Sequence, residues 1–289
     1  MGKAVPDGGK IAPGLHFVAT PIGAARDITL RALDILAGAD VLAAEDTRTL
    51  RHLMEIHGVA LAGRPLIAYH DHNGDAVRPR ILALLREGKS VAYASDAGTP
   101  LIADPGFQLS RAAIVEGLPV LAAPGPSAVL CALTVSGLPS DRFLFAGFLP
   151  SKSTARKKTL EALKDVQCSL IVYETARRLT ASLSDMRDIL GVGRQAAVCR
   201  ELTKKYEEVT RGTLGDLATT FAEREVKGEI VVVVDRAQPA ATGENTVKDA
   251  LEQAMQTLSL KDAVAMVADA LRLPKREVYQ LALGLGADE

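Results

Sequence analysis

Residues 90–100 read SVAYASDAGTP, and this stretch decides the fold class. Its first five residues are small and mostly apolar, which predicts a β-strand. The strand runs into Asp96-Ala97-Gly98-Thr99-Pro100, a loop in which glycine lets the backbone approach a ligand closely and proline restricts the conformation. A helix is predicted soon afterwards, from about Pro105. A strand, a Gly/Pro loop and a helix in succession form the repeating unit of α/β proteins.

The same unit recurs on both sides of this stretch throughout the first half of the chain. Strands are predicted at residues 15–20, 41–44, 66–69 and 119–122, and helices at about 27–38, 48–57 and 75–86. Asp27 and Ser127 are the residues expected to cap helix N-termini, because their side chains can accept a hydrogen bond from backbone N–H groups. The alternation predicts an open, mostly parallel sheet with ligands at the carboxyl ends of its strands.

The pattern changes after residue 139. Strands are predicted at residues 142–148, 169–173, 196–200, 207–211 and 229–235, with helices at 152–163 and 176–190. Residues 238–245 are rich in Ala, Gly and Pro and predict a linker, and residues 247–285 are predicted to be helical, with Pro274 dividing two helices. The predicted organisation is a flexible leader (1–14), an N-terminal α/β domain (15–136), a second α/β domain (140–236) and a helical C-terminal extension (246–289).

Composition is typical of a globular protein, with 48% hydrophobic and 24% charged residues. The formal net charge of −1 neither supports nor excludes a nucleic-acid substrate, because basic residues can cluster locally. Cys131, Cys168 and Cys199 lie far apart in apolar stretches, so we expect buried, reduced thiols. The sequence has no apolar run of the ~18 residues that a membrane span needs.

Four Gly/Pro loops follow predicted strands. They are Thr20-Pro21-Ile22-Gly23, Asp96-Ala97-Gly98-Thr99-Pro100, Asp104-Pro105-Gly106 and Pro124-Gly125-Pro126-Ser127. Each can hold a polar ligand such as an adenosine through backbone groups, although a tight turn between a strand and a helix is the favoured interpretation of any one loop taken singly. None matches the GxGxxG or GxxxxGK[ST] pattern, which argues against ordinary dinucleotide or ATP binding.

Acidic residues follow several of the predicted strands. Glu45 and Asp46 come directly after residues 41–44, Glu174 follows residues 169–173, and Glu201 begins a mixed-charge run. In an open sheet, functional side chains gather at this end of the strands. The alternatives are a helix N-terminus that favours acids, for Glu45 and Asp46, and a solvated surface, for the run.

His70 and His72 resemble a pair of metal ligands, but no third ligand has suitable spacing. A polar loop that faces the substrate is the favoured interpretation, and no metal is expected. Basic residues are bunched in three groups, as contact with a phosphate backbone requires. The groups are Lys152 with Arg156, Lys157 and Lys158, then Arg177 with Arg178, then Lys204 with Lys205. For the first group taken alone, an exposed amphipathic helix is the better interpretation.

The ordered set of motifs resembles the tetrapyrrole methylase superfamily and, within it, the ribosomal RNA small subunit methyltransferase I branch. The matching stretches are 18–23 with 27–33, 44–48, 95–100 through 104–106, 124–128, 147–150, 173–174, 200–204 and 227–229. The resemblance runs from about residue 15 to 236. It implies two α/β domains of the class III methyltransferase fold, S-adenosylmethionine (SAM) as cofactor, a homodimer, and 2′-O-methylation of a cytidine ribose in 16S rRNA in the cytoplasm.

The resemblance also implies which residues form the cofactor site. They are Pro21, Ile22, Gly23, Asp96, Gly98, Thr99, Pro100, Ser127, Ala128, Tyr173 and Glu229. Three positions depart from the branch pattern: Ala24-Ala25 replaces a usual Asn-Leu pair, Ala176-Arg177 replaces Pro-His, and Leu50 stands where a hydroxyl residue is expected. None removes a proposed cofactor contact, but the second bears on substrate contacts near Arg177.

A carboxylate that accepts the proton of the ribose 2′-hydroxyl is expected to contribute about 10²–10⁴-fold to the rate. The candidates are Asp46, Glu201, Glu45 and Glu174, with Asp46 and Glu201 favoured. Arg48, Lys152, Arg177, Arg178, Arg200 and Lys204 are the candidates for RNA contacts, at 16S rRNA or the 30S subunit. The helical tail is interpreted either as a helix-turn-helix element on rRNA or as a packing cap. The rival functions are methylation of a tetrapyrrole and a non-catalytic RNA-binding module.

Overall fold

The structure, a computed structural model, describes residues 9–237, 244–271 and 273–285. Residues 1–8 of the predicted leader, residues 238–243 of the predicted linker, and Arg272 lie outside the described residues. The chain up to Arg236 forms one compact unit, and the chain from Ala237 onward forms another. None of the helices in the described ranges has the length and apolar character that crossing a membrane requires.

The first half of the chain folds into a five-stranded parallel sheet of order β3-β2-β4-β1-β5. Its elements are β1 (Gly14–Val18), α1 (Leu30–Gly38), β2 (Val41–Ala44), α2 (Thr47–Ile56), β3 (Leu66–Ala68), α3 (Gly74–Arg86), β4 (Ser90–Ala94), α4 (Phe107–Val115), β5 (Val120–Ala123) and α5 (Ala128–Ser136). Helices pack on both faces, so β1, β2 and β4 are buried along their whole length. The predicted parallel sheet is confirmed, with boundaries that differ by a few residues.

Two predicted helix starts were wrong. Thr29, not Asp27, caps α1, because its hydroxyl accepts the backbone N–H of Ala32 at 3.1 Å. The helix expected from about Pro105 begins at Phe107 instead, after Gly106 with φ +118°. At Gly106 a Cβ would lie 2.8 Å from Leu101 Cδ2, so the chain needs glycine here. Ser127 does cap α5 as predicted.

The second half folds into a mixed sheet of order β6-β7-β10-β8-β9. Its elements are β6 (Phe143–Phe148), α6 (Ser153–Leu163), β7 (Ser169–Thr175), α7 (Leu179–Leu190), β8 (Gln195–Arg200), β9 (Glu208–Thr213), α8 (Leu214–Ala222) and β10 (Glu229–Val234). Only β6 and β7 pair in parallel, and the other pairs are antiparallel. Helix α8 was not predicted, although Thr213 and Asp216 form a capping box at its start.

Helix α5 connects the two sheets. It follows the last strand of the first sheet, but Val129, Ala132 and Leu133 are buried against the second. Their partners in the same core cluster include Ile171 of β7 and Val231 of β10. Since α5 belongs to both halves, the loop at its N-terminus is held near the end of β7 and the start of β10.

The basic group at the start of α6 is only partly free for RNA. Arg156 is 3% exposed and forms an ion pair with Asp185 of α7 at 2.7 Å, so the exposed helix face expected there was wrong for this residue. Lys157 pairs with Asp188 at 3.1 Å. Arg156 therefore joins α6 to α7, and its guanidinium is turned away from solvent.

In its described residues the C-terminal unit has the helices α9 (Glu244–Met255), α10 (Leu260–Leu271) and α11 (Lys275–Leu285). The two helices predicted on either side of Pro274 correspond to α10 and α11, and a further break that was not predicted divides the tail at residues 256–259, where the Ser259 hydroxyl accepts the N–H of Asp262. The unit has its own core, in which Leu251, Val267 and Val278 are buried.

Among the cysteines, Cys199 is buried as expected, but Cys131 and Cys168 are only half-buried.

Candidate active site

A cavity of about 290 Å³ lies where loops of both sheets meet, and we call it the shared cavity. From the first half it is lined by Ile22, Ala97, Ile102, Ala103, Asp104 and Ala128. From the second half it is lined mainly by Phe148, Tyr173, Glu174, Thr175, Leu202, Gly228 and Glu229. These residues come from the ends of β1, β4, β6 and β7 and from the start of β10, so the cavity is built jointly by the two sheets.

Backbone hydrogen bonds hold the loop after β1 against the loop after β4. Thr20 and Gly98 exchange both backbone bonds, at 2.9 and 3.0 Å, and the Thr20 hydroxyl donates to the Ser95 carbonyl at 3.1 Å. Gly98 has φ +83°, and a Cβ there would lie 3.3 Å from Ile22 Cγ2. The Thr99 hydroxyl donates to the Pro126 carbonyl at 2.9 Å. Three of the four predicted Gly/Pro loops are thus bound to one another.

The loop after β1 also contacts the charged loop after β8. The backbone N–H of Ala24 donates to the Thr203 hydroxyl at 3.0 Å. A Cβ at Gly23 would lie 2.5 Å from Lys204 Cγ, so only glycine permits this approach. The contact closes one side of the shared cavity with residues from opposite halves of the chain.

Tyr173 provides the aromatic wall of the shared cavity. Its ring packs edge to face against Phe145 and Phe148, with centroids 4.8 and 5.6 Å apart. Burial is the main cause that raises the pKa of Tyr173 to about 12, so its phenol is neutral near pH 7. Phe148 remains 52% exposed at the edge. An aromatic and apolar surface of this kind suits a planar heterocycle such as adenine.

Glu45, Asp96 and Asp104 of the first sheet lie beside the shared cavity, and the part of the chain that the structure describes gives none of them an ion pair with Lys or Arg. Burial, followed by the charges of Glu45 and Asp96, raises the pKa of Asp104 to about 7. Burial, followed by the charges of Asp96 and Asp71, raises the pKa of Glu45. The Asp96 carboxylate accepts the backbone N–H of Asp46 at 2.9 Å. Asp104 is a candidate that sequence reasoning missed as a carboxylate, although its Asp104-Pro105-Gly106 loop was predicted to face a ligand.

Both favoured catalytic candidates, Asp46 and Glu201, form ion pairs with basic side chains. Asp46 forms an ion pair with Arg48 at 2.6 Å and caps α2, and the Arg48 hydrogen bond is the main cause that lowers the pKa of Asp46 to about 2. Glu201 accepts the backbone N–H of Glu229 and the Lys204 ammonium, both at 2.9 Å, and these bonds lower its pKa. A lower pKa makes a carboxylate a weaker proton acceptor.

Glu174 is 3% exposed and occupies the buried side of the β7 terminus. Its carboxylate accepts hydrogen bonds from the Thr175 N–H at 2.8 Å and from the Ser182 hydroxyl, and Arg178 lies 3.2 Å away. Arg178 also donates to the Leu149 carbonyl. These contacts join β7 to the start of α7, so Glu174 and Arg178 both stabilise the fold at this point.

The other predicted RNA contacts differ in how free they are. Arg177 and Lys152 are exposed, and the Arg48 side chain is 89% exposed although it pairs with Asp46. Arg200 pairs with Glu208 at 3.1 Å, and Lys204 pairs with Glu201 and Glu229. Lys204 is nevertheless close to the shared cavity, because Glu229 and Leu202 line it.

The predicted cofactor residues fall into two sets. Ile22, Ala128, Tyr173 and Glu229 line the shared cavity, whereas Pro21, Gly23, Asp96, Gly98, Thr99, Pro100 and Ser127 lie in the loops that carry lining residues. The lining residues that were missed, such as Ala97, Ile102 and Ala103, are sequence neighbours of predicted ones. In the described ranges, no group of three His, Cys, Asp or Glu side chains is arranged to hold a metal ion.

Comparison with known families gives two matches. The model of the Tetrapyrrole (Corrin/Porphyrin) Methylases matches residues 14–218, and the model of the RsmI C-terminal HTH domain matches residues 240–286. A protein of Mesorhizobium japonicum, ribosomal RNA small subunit methyltransferase I, is 53% identical over 80% of this chain and 78% of its own. The protein of the same name from Vibrio cholerae is 42% identical over 97% of both chains.

Solved structures agree in fold. The methyltransferase CobJ superposes with a TM-score of 0.60 at 18% identity, covering 78% of this chain and 95% of its own. The cobalt precorrin-4 methyltransferase CbiF superposes with a TM-score of 0.59 at 16% identity, covering 76% of this chain and 94% of its own. At these identities the likeness concerns the fold of the two-sheet unit alone.

Proposed function

The chain belongs to the tetrapyrrole (corrin/porphyrin) methylase family, and we propose that it transfers the methyl group of SAM to a cytidine ribose 2′-hydroxyl of 16S rRNA. The relatives that share most of its length are named for the small ribosomal subunit RNA, and the C-terminal match is to the helix-turn-helix domain of the same enzymes. The observation that carries the proposal is the convergence of loops from both sheets on the shared cavity.

The residues of the shared cavity fit SAM. Ile22, Ala128 and Tyr173 offer the apolar and aromatic surface that adenosine needs, while Glu229 offers negative charge to the amino group. The close approach of Gly98 to Ile22 keeps backbone rather than side chain at the cavity edge. SAM brings a methyl group already activated by the sulfonium, so the protein must orient the acceptor and receive its proton. Such positioning can account for about 7–11 kcal/mol of the barrier.

The exposed cations around the cavity are proposed to bind RNA phosphates. Arg48, Lys152 and Arg177 present free or largely exposed side chains. Arg200 and Lys204 are oriented by acidic partners, which fixes their direction for a phosphate oxygen. Asp46 and Glu201 then act by holding Arg48 and Lys204. Arg178 supports the same surface indirectly, because it anchors the segment that carries Arg177.

The assembled 30S subunit is the proposed partner, and a homodimer is the proposed active form. The resemblance of the sequence to the small subunit methyltransferase I branch supports both proposals. Since rRNA is modified where subunits are made, the proposed location is the cytoplasm. The three-helix C-terminal unit is proposed to contact rRNA. Its own buried core makes it a module that can bind without rearranging the catalytic unit.

The decisive experiment incubates the protein with SAM carrying a labelled methyl group and 30S subunits that lack ribose methylation. Label on a cytidine 2′-oxygen of 16S rRNA is expected, and calorimetry is expected to show SAM uptake. No transfer to the subunits, together with transfer to uroporphyrinogen, would contradict the proposal. SAM binding without transfer to any substrate would favour a non-catalytic RNA-binding module.

Removing the chain after Thr242 tests the role of the C-terminal unit. We expect weaker binding to 30S subunits in filter-binding assays and unchanged SAM affinity in calorimetry. Light scattering on the full-length and shortened proteins reports the oligomeric state in parallel. If subunit affinity is the same for both proteins, the C-terminal unit does not contact rRNA.

A further inference from the structure

A second, polar cavity of about 370 Å³ adjoins the shared cavity. It lies between the loop that follows β3 and the start of α4, and it is lined by Tyr69, His70, Asp71, Arg78, Asp104 and Phe107, among others. Asp104 lines both cavities, so it stands in the wall between them. A methyl-transfer enzyme needs this arrangement, with one pocket for the donor, one for the acceptor, and the reacting atoms at their boundary.

Unsatisfied polar atoms concentrate around the polar cavity. His70 Nδ1, Arg78 Nε and Asp104 Oδ2 are buried and have no hydrogen-bond partner among the described residues. A buried polar group without a partner is costly, so native proteins rarely retain one unless a water or ligand completes it. Arg78 Nε can only donate a hydrogen bond, His70 Nδ1 can donate or accept one, and the Asp104 carboxylate oxygen accepts. Together they indicate a polar ligand with several hydrogen-bonding groups.

The polar cavity also offers an aromatic surface. Phe107, the first residue of α4, is 60% exposed although it lines the cavity. Sequence-specific RNA recognition commonly stacks an unpaired base on an exposed aromatic ring and reads its edge with polar side chains. Arg78 and His70 can donate to base or sugar oxygens, and Asp71 can accept from an exocyclic amine.

We propose that the polar cavity receives the target nucleotide of the RNA, extruded from its helix or loop, with the base on Phe107 and the ribose 2′-hydroxyl against Asp104. This proposal rests on the proposed function and adds a pocket and a proton acceptor to it. The ribose oxygen forms a bond to the methyl carbon while the carbon–sulfur bond breaks and its electron pair goes to sulfur. The hydroxyl proton goes to the Asp104 carboxylate, and a neutral thioether leaves.

The surroundings of Asp104 suit a proton acceptor that works near neutral pH. Glu45, Asp96 and Asp71 face it with negative charge, and Ser95, whose hydroxyl donates to the Gly98 carbonyl at 2.9 Å, lies beside it. Tyr93 and Tyr173 add neutral phenols, and His70 and Arg78 line the same cavity without forming an ion pair with it among the described residues. Its pKa of about 7 means that it is ionised above neutral pH and protonated below. Turnover should therefore be about tenfold lower at pH 6 than at pH 8.

The test of the proton acceptor is Asp104→Asn in the full-length protein. We expect single-turnover methylation of 30S subunits to fall about 10²–10⁴-fold, while SAM affinity by calorimetry changes little. The pH dependence of the residual rate should also disappear. A rate within threefold of the parent protein, or a retained pH dependence, would overturn the assignment of Asp104.

A stability measurement separates this role from a structural one. The folded protein raises the pKa of Asp104 above its unfolded value, so its favourable contribution is complete below pH 4 and is lost as the pH rises through about 7. Asp104→Asn should therefore melt at a higher temperature than the parent protein above pH 7, with a difference that shrinks as the pH falls toward 4. A lower melting temperature at pH 8 would make Asp104 a structural residue and overturn the proposal.

The test of the nucleotide pocket is Phe107→Ala, with Phe143→Ala as its matched control. Phe143 is 43% exposed at the start of β6 and lines neither cavity. Loss of base stacking should lower kcat/KM for 30S subunits about 5- to 150-fold, whereas the control should retain it. Similarly, Arg78→Gln should lower kcat/KM and Arg80→Gln, on the exposed part of the same helix, should not. Equal values for Phe107→Ala and Phe143→Ala would remove the nucleotide from this cavity.

These outcomes are distinguishable from failure of the proposed function. If the parent protein binds no SAM or methylates no 30S subunit, the function itself is wrong. If the parent protein is active and the Asp104 and Phe107 variants match their controls, only the polar cavity is excluded as the nucleotide site.

Discussion

Acidic side chains from both sheets lie around the same cavity, but they differ in whether a Lys or Arg side chain pairs with them. At the edge of the first sheet, Glu45 and Asp104 have no Lys or Arg partner among the described residues, and their pKa values are raised. At the edge of the second sheet, Glu174 and Glu201 are held by Arg178 and Lys204. Among the described residues, the unpaired carboxylates with raised pKa values belong to the first sheet, although its Asp46 is paired with Arg48, whereas the acids of the second sheet form ordered charge pairs.

Strand direction explains the gathering of acids at the first sheet and one charge pair of the second, Arg200 with Glu208. The strands β2, β3 and β4 are parallel, so the residues that follow them meet at one edge, and here several of those residues are acids. In the antiparallel part of the second sheet, the end of β8 lies beside the start of β9. Arg200 at that strand end consequently meets Glu208 at 3.1 Å. Parallel pairing brings like ends together, and antiparallel pairing brings an end beside a beginning.

The largest expected effect comes from breaking a pair of the second sheet. Glu174→Ala should lower the free energy of unfolding by about 3 kcal/mol, because Arg178 and Ser182 lose a buried partner. The low end of the usual range applies, since the Arg178 side chain is 24% exposed. Urea denaturation measures the change, and Glu223→Ala on the surface is the control. A loss below about 1 kcal/mol would mean that Glu174 is not held structurally.

The next effect comes from the first sheet. Glu45→Gln removes a negative neighbour of Asp104, so less repulsion opposes ionisation and the pKa of Asp104 should fall. The acidic limb of the pH–rate profile should move to lower pH, and turnover at pH 6 should rise severalfold relative to pH 8. Glu55→Gln on the exposed face of α2 provides the control. An acidic limb that does not move would separate Glu45 from the proton acceptor.

A third variant converts a paired acid into an unpaired one. Lys204→Met removes the ammonium that lies 2.9 Å from Glu201, so the pKa of Glu201 should rise. Carboxyl-carbon NMR titration measures this shift, and affinity for 30S subunits should fall severalfold through the lost phosphate contact. Lys205→Met is the matched control. If the pKa of Glu201 is the same in both variants, Lys204 is not what lowers it.

The smallest effect is expected at the most conspicuous acid of the sequence. Asp46→Asn keeps the helix cap, because asparagine caps as well as aspartate, and loses only the charge that orients Arg48. Turnover should stay within about threefold and subunit affinity should fall by a similar factor, since exposed pairs are weak. A hundredfold loss of turnover with unchanged subunit affinity would instead make Asp46 the proton acceptor that the sequence favoured.

Prediction from the sequence succeeded where the signal was local. The strands of the first sheet follow from short apolar runs between Gly/Pro loops, and Ser127 is a recognisable cap. It failed for Thr29 and Asp27, because both are capping residues two positions apart and only the final chain path selects between them. Helix α8 was missed, although its Thr213–Asp216 capping box is present in the sequence.

Prediction of the candidate site likewise succeeded for its loops and differed from the structure in the carboxylates. The sequence identified the loops that meet at the shared cavity, yet it favoured Asp46 and Glu201 over Asp104. Asp46 and Glu201 each have a cationic partner close by in the chain. These neighbouring charges make the two runs conspicuous in the sequence, and the same charges make the two carboxylates weak bases. Asp104 is inconspicuous because its neighbours in sequence are neutral.

The sequence by itself determined the α/β fold class, the loops that meet at the shared cavity and the family of the enzyme, because each depends on the local order of residues. Only the tertiary structure decided which carboxylates lie half-buried without a cationic partner among the described residues, because the pairs of Asp46, Glu174 and Glu201 are local in the chain. That distinction depends on distances between strands far apart in sequence, such as β2 and β4, and on the burial of Asp104 between two cavities. Electrostatic environment is a property of the assembled fold, so no local pattern encodes it.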